Sequence, residues 1–324
     1  MHSPKNLYIQ LTSKCNNQCK ICAYLLDPAF KSSNSNMDDS TIKKLLENIK
    51  EISTLEKVYF GPMYGEGQLH PRFYEIVETI KKIRPDIFII LITNGKLLTK
   101  ENVLKYAGDH IHLSVLGNKT RPDTYESITG LKWESLKEKT NIVSNAGISC
   151  GYNFTMTSLD DVEEAMKDLY TEENFKALYY VFNYPMLDLM SYLKRCMYLN
   201  IKYKESKMNN AGHLFDDILV ENNLEYLTFH PPSFTPCSVL YNDTAIMYNG
   251  DVLLCACADI PMKGISGNIN NNSLLEIYNN EMMNSFRNNL RKGVLPGLPC
   301  NLTCSNKIIR QRDKYKNFEV LNNV

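Results

Sequence analysis

The chain lacks a net charge, a membrane-length apolar run and any cationic stripe. Lys plus Arg and Asp plus Glu each number 36 in 324 residues. Coating nucleic acid or an anionic membrane demands a cationic surface, so neither is the main work of this protein, although a local basic pocket stays open. No segment approaches the roughly 20 consecutive apolar residues that span a bilayer. The opening Met-His-Ser-Pro-Lys-Asn-Leu-Tyr-Ile-Gln has no signal-peptide h-region before polar residues intervene. Internal repeats and low-complexity linkers are missing as well. These absences predict a soluble cytoplasmic protein with no nucleic-acid and no membrane partner. At 44% apolar and 22% charged residues the usage is that of ordinary globular chains. A single α/β barrel would take most of the length.

Cysteine, by contrast, is plentiful. Ten occur, at positions 15, 19, 22, 150, 196, 237, 255, 257, 300 and 304. With nothing to support export, a reducing compartment keeps thiols free, and clustered cysteines then hold metal or do redox chemistry. Cys150 and Cys196 lie in apolar strand and helix contexts and read as core residues. The others form an N-terminal trio and a C-terminal five.

From residue 7 to about 225, short β-rich runs alternate with helical periods. Strands are predicted over 7–11, 57–60, 87–92, 110–115, 148–155 and 178–182. Ile42, Leu45, Leu46, Ile49 and Ile52 recur at helical spacing behind Asp38, Asp39 and Ser40 as candidate caps. Phe73, Ile76, Val77, Ile80 and Ile83 repeat the pattern, as do Val162, Ala165, Met166 and Leu169. Continuous apolar strands such as Ile87 to Ile92 suit a parallel sheet buried on both faces. Six β-then-α units imply a parallel barrel, open or closed, with its chemistry at the C-terminal ends of the strands. After His230-Pro231-Pro232 the chain turns loop-rich and cysteine-rich. Asn249-Gly250 between apolar runs predicts a hairpin, and a helical stretch follows from Leu274 to about Arg291.

Cys15, Cys19 and Cys22 sit directly after the first predicted strand. A [4Fe–4S] cluster normally takes four cysteines. Three would leave one iron open, and an open coordination site is what separates a catalytic metal centre from a structural one. On spacing alone, a zinc knuckle with a borrowed fourth ligand, or three plain loop thiols, stay open.

Cys-x3-Cys-x2-Cys after an N-terminal strand resembles the signature of radical S-adenosylmethionine (radical SAM) enzymes, and the resemblance runs over nearly the whole chain. Gly61-Pro62-Met63-Tyr64-Gly65-Glu66-Gly67 looks like the family's Gly-Gly-Glu-Pro segment, of which only Gly65-Glu66 is kept. Thr93-Asn94-Gly95 ends the third strand as in the family. Ser114 resembles its ribose-contacting serine, and Asp123 to Gly130 is also typical. Asn153 is a further candidate cosubstrate contact. The resemblance implies a partial (β/α)6 TIM-like barrel. It also implies a [4Fe–4S] cluster that binds S-adenosylmethionine, whose reductive cleavage gives a 5′-deoxyadenosyl radical able to abstract hydrogen from carbon. An electron donor such as flavodoxin or ferredoxin is implied with it.

Cys237, Cys255, Cys257, Cys300 and Cys304, with Gly250, Arg287, Arg291 and Gly293 among them, look like the auxiliary-cluster extension of the family. The resemblance is to its short twitch form, a small cysteine-rich domain of a β-hairpin plus helix, rather than the full SPASM form. It implies one auxiliary [4Fe–4S] cluster on Cys237, Cys255, Cys300 and Cys304, though Cys257 could replace Cys255. A zinc ribbon on the same thiolates is the bland alternative. The expected division is 1–228 for the radical SAM core barrel, 229–306 for the auxiliary domain and 307–324 for a tail.

Two reactions are expected to compete. A dehydrogenase would pass electrons to the auxiliary cluster, and an epimerase would use a cysteine, with Cys257 the candidate hydrogen donor. Asp259, Tyr152, Tyr179, Tyr180 and Tyr184 are candidates to line the barrel mouth. Because the first strand begins at residue 7, recognition of a peptide leader would need a separate partner. That tilts the expected substrate toward a sugar, cyclitol or nucleoside-like molecule, with a peptide, as in peptide-modifying maturases, the alternative. A non-catalytic iron–sulfur or zinc-binding module is the rival of another class.

Overall fold

The computed structural model describes residues 2–19, 34–61, 63–116, 122–155, 177–183, 208–209, 238–255 and 264–292. Their strands are β1 (Asn6–Ile9), β2 (Lys57–Phe60), β3 (Phe88–Thr93), β4 (His110–Leu116), β5 (Ser149–Thr155), β6 (Ala177–Asn183), β7 (Met208–Asn209), β8 (Asp243–Ile246), β9 (Asp251–Leu253) and β10 (Ile265–Asn268). They form one open sheet in the order β10-β9-β8-β1-β2-β3-β4-β5-β6-β7. From β1 to β7 each strand pairs in parallel with the next. The predicted strands match the first six of these to within a residue or two at each end. The short β7 was not predicted.

Among the described residues the helices are α1 (Asp39–Glu51), α2 (Phe73–Ile83), α3 (Lys100–Leu104), α4 (Pro122–Thr129), α5 (Trp133–Asn145), α6 (Ser238–Asn242), α7 (Leu274–Tyr278) and α8 (Glu281–Arg291). Asp38 caps α1, its carboxylate accepting from the Thr41 N–H at 2.7 Å, which satisfies one of the amides orphaned at a helix start. Alternate strand residues, among them Leu7, Ile9, Val58, Phe60, Ile111, Leu113 and Val115, share one apolar core with Ile42, Leu45, Ile76, Ile80, Leu136 and Val143 of the helices. The helices therefore cover one face of the sheet, as right-handed crossovers between parallel neighbours require when the strand order runs one way. This is a partial (β/α) barrel.

The opposite face carries the other half of each strand, including Tyr8, Tyr59, His110, His112 and Ser114. Tyr152, expected at the barrel mouth, is instead on the helix side: it is 1% exposed and its hydroxyl lies 2.7 Å from that of Thr140. Period-2 alternation from Ser149 puts it there.

The predicted hairpin forms from β8 and β9, with Gly250 at φ +87° in its turn. It does not stand apart as its own sheet, because β8 pairs in parallel with β1 from Asn6↔Asp243 to Ile9↔Ile246. The C-terminal segment thus extends the barrel's sheet beside the strand that leads to the first cysteines. The single helix expected from Leu274 breaks into α7 and α8, since the Asn280 side chain accepts from the Met283 N–H at 2.9 Å and starts a new helix. Arg287 ties the segment together. It is 1% exposed and donates Nε to the Leu240 carbonyl at 2.9 Å and Nη1 to the Tyr278 carbonyl at 2.6 Å. The expected boundary near residue 228, the helical period 162–169, Tyr184, Asp259 and Cys196 lie outside the described residues. Among the described residues no helix is long and apolar enough to cross a membrane.

Candidate cofactor site at the strand ends

The cysteine loop leaves β1 at its C-terminal end. Cys15 is exposed and Cys19 half-buried. Two neighbouring loops hold it. The Glu66 N–H donates to the Lys14 carbonyl at 2.7 Å. Gly65, at φ +94°, lies so close that a Cβ on it would sit 2.1 Å from the Thr12 carbonyl oxygen. The loop after β3 meets the cysteines from the other side, with Asn94 Nδ2 donating to Asn16 Oδ1 at 2.9 Å and Lys96 Nζ to the Asn16 carbonyl at 2.8 Å. Gln10, the residue after β1, donates to the Tyr64 carbonyl at 3.0 Å and accepts from the Tyr248 N–H at 3.4 Å. The hairpin and the Gly65 loop are thereby fastened to the same strand end.

Glu66 is the electrostatic centre of this arrangement. It is 3% exposed. One carboxylate oxygen, Oε2, accepts from the Asn94 N–H at 3.1 Å, while Oε1 is buried with no partner. Burial pushes its pKa up to about 7, with the Asn94 N–H, Thr93 and the Gln68 N–H opposing the rise. A buried carboxylate oxygen without a donor is costly, and a cationic or N–H-bearing ligand is what would satisfy it.

Cys15, Asn16, Asn17 and Gln18 line an open cleft of about 500 Å³ with Lys96 and the residues Ser127 to Gly130 at the end of α4. Ser114 is half-buried on β4, and its register partner on β5 is Asn153. Glu66 and Asn94 are therefore joined to the cysteine loop by direct hydrogen bonds and Gly65 by close backbone approach, while Ser114 and Asn153 are register partners on adjacent strands. Cys255 is buried just after β9. Cys150 is 2% exposed, its thiol pushed up to about 12 by burial, as a core residue should be. Cys22, Cys237, Cys257, Cys300 and Cys304 lie outside the described residues, among which no group of three metal-ligating side chains gathers.

Three contributors escaped the sequence reading. Asn16 and Lys96 join the cysteine loop to the loop after β3, and Asn17 donates Nδ2 to Cys19 Sγ at 3.0 Å. Lys96 does follow Thr93-Asn94-Gly95 directly, but its acceptor is a backbone carbonyl, which leaves no mark in sequence. The residues present fit a thiolate-held iron–sulfur cluster and a cosubstrate bearing an amine. The Cys15 thiol opens on a cleft with Cys19 in the same loop, a glycine lets the adjacent backbone approach, and one oxygen of a buried carboxylate lacks a partner.

Comparison with known proteins agrees with this geometry. The model of the radical SAM superfamily matches residues 9–172, and that of an iron–sulfur cluster-binding domain, SPASM, matches residues 237–305. A cofactor-modifying protein for the tungsten-containing aldehyde ferredoxin oxidoreductase of Pyrococcus furiosus is 33% identical over 103 residues, 32% of this chain and 27% of that protein. The GTP 3′,8-cyclase of Microcystis aeruginosa is 29% identical over 135 residues, 41% of this chain and 40% of the cyclase. The chain thus spans well under half the length of these curated relatives. Among solved structures, Streptococcus suis SuiB bound to S-adenosylmethionine superimposes with a TM-score of 0.65 at 16% identity, covering 97% of this chain and 75% of SuiB.

Proposed function

Because this chain belongs to the radical SAM superfamily and carries a C-terminal iron–sulfur domain, we propose that it abstracts a hydrogen atom from a carbon of a small polar substrate. The outcome is oxidation or epimerisation, in the cytoplasm, with an electron donor of the flavodoxin or ferredoxin kind. The family brings a [4Fe–4S] cluster whose one-electron reduction of bound S-adenosylmethionine supplies a 5′-deoxyadenosyl radical. The observation that carries the reading is the convergence of the cysteine loop, Gly65-Glu66 and Asn94 at neighbouring strand ends. Cys15, Cys19 and Cys22 would hold the cluster. Glu66 Oε1 would take the methionyl amine, and Ser114 and Asn153 would reach the ribose.

The sheet face opposite the helices supports an uncharged polar substrate. His110 and His112 meet edge to face at 4.3 Å. Burial lowers their pKa values to about 4 and about 3, His110 adding to the effect on His112. Both rings are then neutral near pH 7, His110 Nδ1 lying 2.8 Å from the Ser149 hydroxyl, so this part of the face carries no charge. Tyr8 and Tyr59 stack at 4.7 Å on the same face. In the auxiliary domain, taken as 229–306 after a barrel of 1–228 and before a tail of 307–324, Cys237, Cys255, Cys300 and Cys304 would hold one further [4Fe–4S] cluster, and Cys257 would return hydrogen in an epimerase.

The test is anaerobic incubation of the reconstituted protein with S-adenosylmethionine, a strong reductant and pools of sugars, cyclitols, nucleosides and peptides. Substrate-dependent 5′-deoxyadenosine with a polyol or nucleoside is the expected result, and stimulation by peptides alone would replace the small-molecule reading. With a substrate in hand, Cys257→Ala separates the two reactions. Lost product with retained 5′-deoxyadenosine indicates epimerisation, and an unaffected turnover removes Cys257 from the chemistry.

A further inference from the structure

A single buried glutamine links the loop that carries Glu66 to the C-terminal segment. Gln10 is 3% exposed and follows the last β1–β8 pair, Ile9↔Ile246. Its backbone N–H donates to the Ile246 carbonyl at 2.9 Å and continues that ladder. Its side-chain amide meets two further backbone groups, 54 and 238 positions away in sequence. Nε2 donates to the Tyr64 carbonyl at 3.0 Å, and Oε1 accepts from the Tyr248 N–H at 3.4 Å. Only one orientation of the amide serves both, because reversing it sets donor against donor and acceptor against acceptor. An apolar side chain would fill the same space and satisfy neither group, whereas buried backbone groups are normally paired. Apolar packing follows the same route. Met63, Tyr64, Ala245, Met247 and Leu253 form a small buried cluster distinct from the main core, with Tyr8 against it. That cluster joins the residues just before Gly65-Glu66 to both strands of the β8–β9 hairpin. The Glu66 loop thus has two anchors: the hairpin on one side, and on the other the Lys14 carbonyl that accepts the Glu66 N–H.

We propose that the C-terminal segment controls binding of S-adenosylmethionine through Gln10, a positioning residue that ties the place of Glu66 to the place of the β8–β9 hairpin. The inference rests on the reading of Glu66 as the group that takes the methionyl amine. Displacing the hairpin moves the Tyr64 carbonyl, and with it Glu66 two residues on. Coupling between two sites is reciprocal. Bound S-adenosylmethionine must therefore tighten the hairpin by the same factor by which the docked hairpin favours binding. Couplings of this kind are typically about fivefold to 150-fold.

The experiment compares the fully loaded wild type with Gln10→Met, whose side chain keeps the length and bulk but satisfies neither backbone group. Iron and sulfide are counted in both. Anaerobic equilibrium dialysis measures the affinity for S-adenosylmethionine, and hydrogen exchange with and without saturating S-adenosylmethionine follows residues 243–253. A normally loaded Gln10→Met should bind at least about fivefold more weakly. Saturating S-adenosylmethionine should slow exchange over 243–253 in the wild type and leave it unchanged in the variant, a linkage that a merely structural glutamine would not create. Equal affinities overturn the inference, as does hairpin protection that persists in the variant. Should Gln10→Met fail to fold, the wild type decides alone, because exchange over 243–253 that ignores saturating S-adenosylmethionine contradicts the coupling. Unaltered binding by Glu66→Gln refutes the reading beneath the inference instead.

Discussion

Gly65→Ala is expected to reduce S-adenosylmethionine cleavage by about a hundredfold or more while leaving the barrel folded. At φ +94° an L residue is strained, and the new Cβ would stand 2.1 Å from the Thr12 carbonyl oxygen and 3.3 Å from that of Lys14. Both obstacles are backbone, so no side-chain rotation relieves them. The loop carrying Glu66 must move away from the cysteine loop by an ångström or more, and displacements of about 1 Å at a reacting centre cost on the order of 10²-fold. The left-handed backbone adds about 1–2 kcal/mol of strain. Gly67→Ala is the matched control. Its Cβ would meet nothing nearer than 3.7 Å and its φ lies outside the left-handed region, so near-normal cleavage is expected there. Comparing the rates of 5′-deoxyadenosine formation in the two variants checks the prediction. Equal rates would mean that the contact of the two loops is irrelevant to the chemistry.

The second large effect is a pH dependence that originates in Glu66. Its pKa lies near 7 in the folded protein against 4.5 in its ordinary state, chiefly through burial. Between those values the folded state holds a proton that the unfolded chain has released, so stability falls as pH rises through that window. Below the window both states are protonated and the contribution is complete, and above it the contribution is gone. At about 1.4 kcal/mol for each tenfold change in proton affinity, the difference across the window is about 3 kcal/mol. Glu66→Gln should abolish this dependence and raise the urea midpoint of the cluster-free protein at pH 8, leaving it nearly unchanged at pH 4.5. The same variant should bind S-adenosylmethionine more weakly, because the charge that would face the methionyl amine is gone. Parallel urea titrations of wild type and variant across this range decide it, and identical pH profiles would contradict the account.

Much of the barrel was readable in advance because its strands announce themselves. The run Ile87 to Ile92 is too short and too apolar for an amphipathic helix and became β3 with a one-residue shift at each end. Three features were not readable. The β8–β1 pairing joins residues more than 230 positions apart, and no periodicity encodes such a partner. The break between α7 and α8 turns on one capping side chain, Asn280, set in an otherwise continuous helical pattern. Tyr152 lay in a recognised strand but on the side fixed by register, which a shift of one residue inverts. At the site, Gly65 and Glu66 were visible from their place after the second strand. The reason for the glycine, a carbonyl 2.1 Å from where a Cβ would be, exists only in three dimensions. Asn16, Asn17 and Lys96 act through one backbone carbonyl, one amide and one sulfur, and these polar side chains in a loop look like any others.

Anaerobic reconstitution with iron and sulfide, followed by metal counting on wild type and on the Cys15→Ala, Cys19→Ala, Cys22→Ala triple variant, tests the central claim most directly. With four irons to each [4Fe–4S] cluster, about eight irons in the wild type falling to about four in the variant is the predicted result. An unchanged iron count, or zinc in place of iron in the C-terminal set, would contradict it.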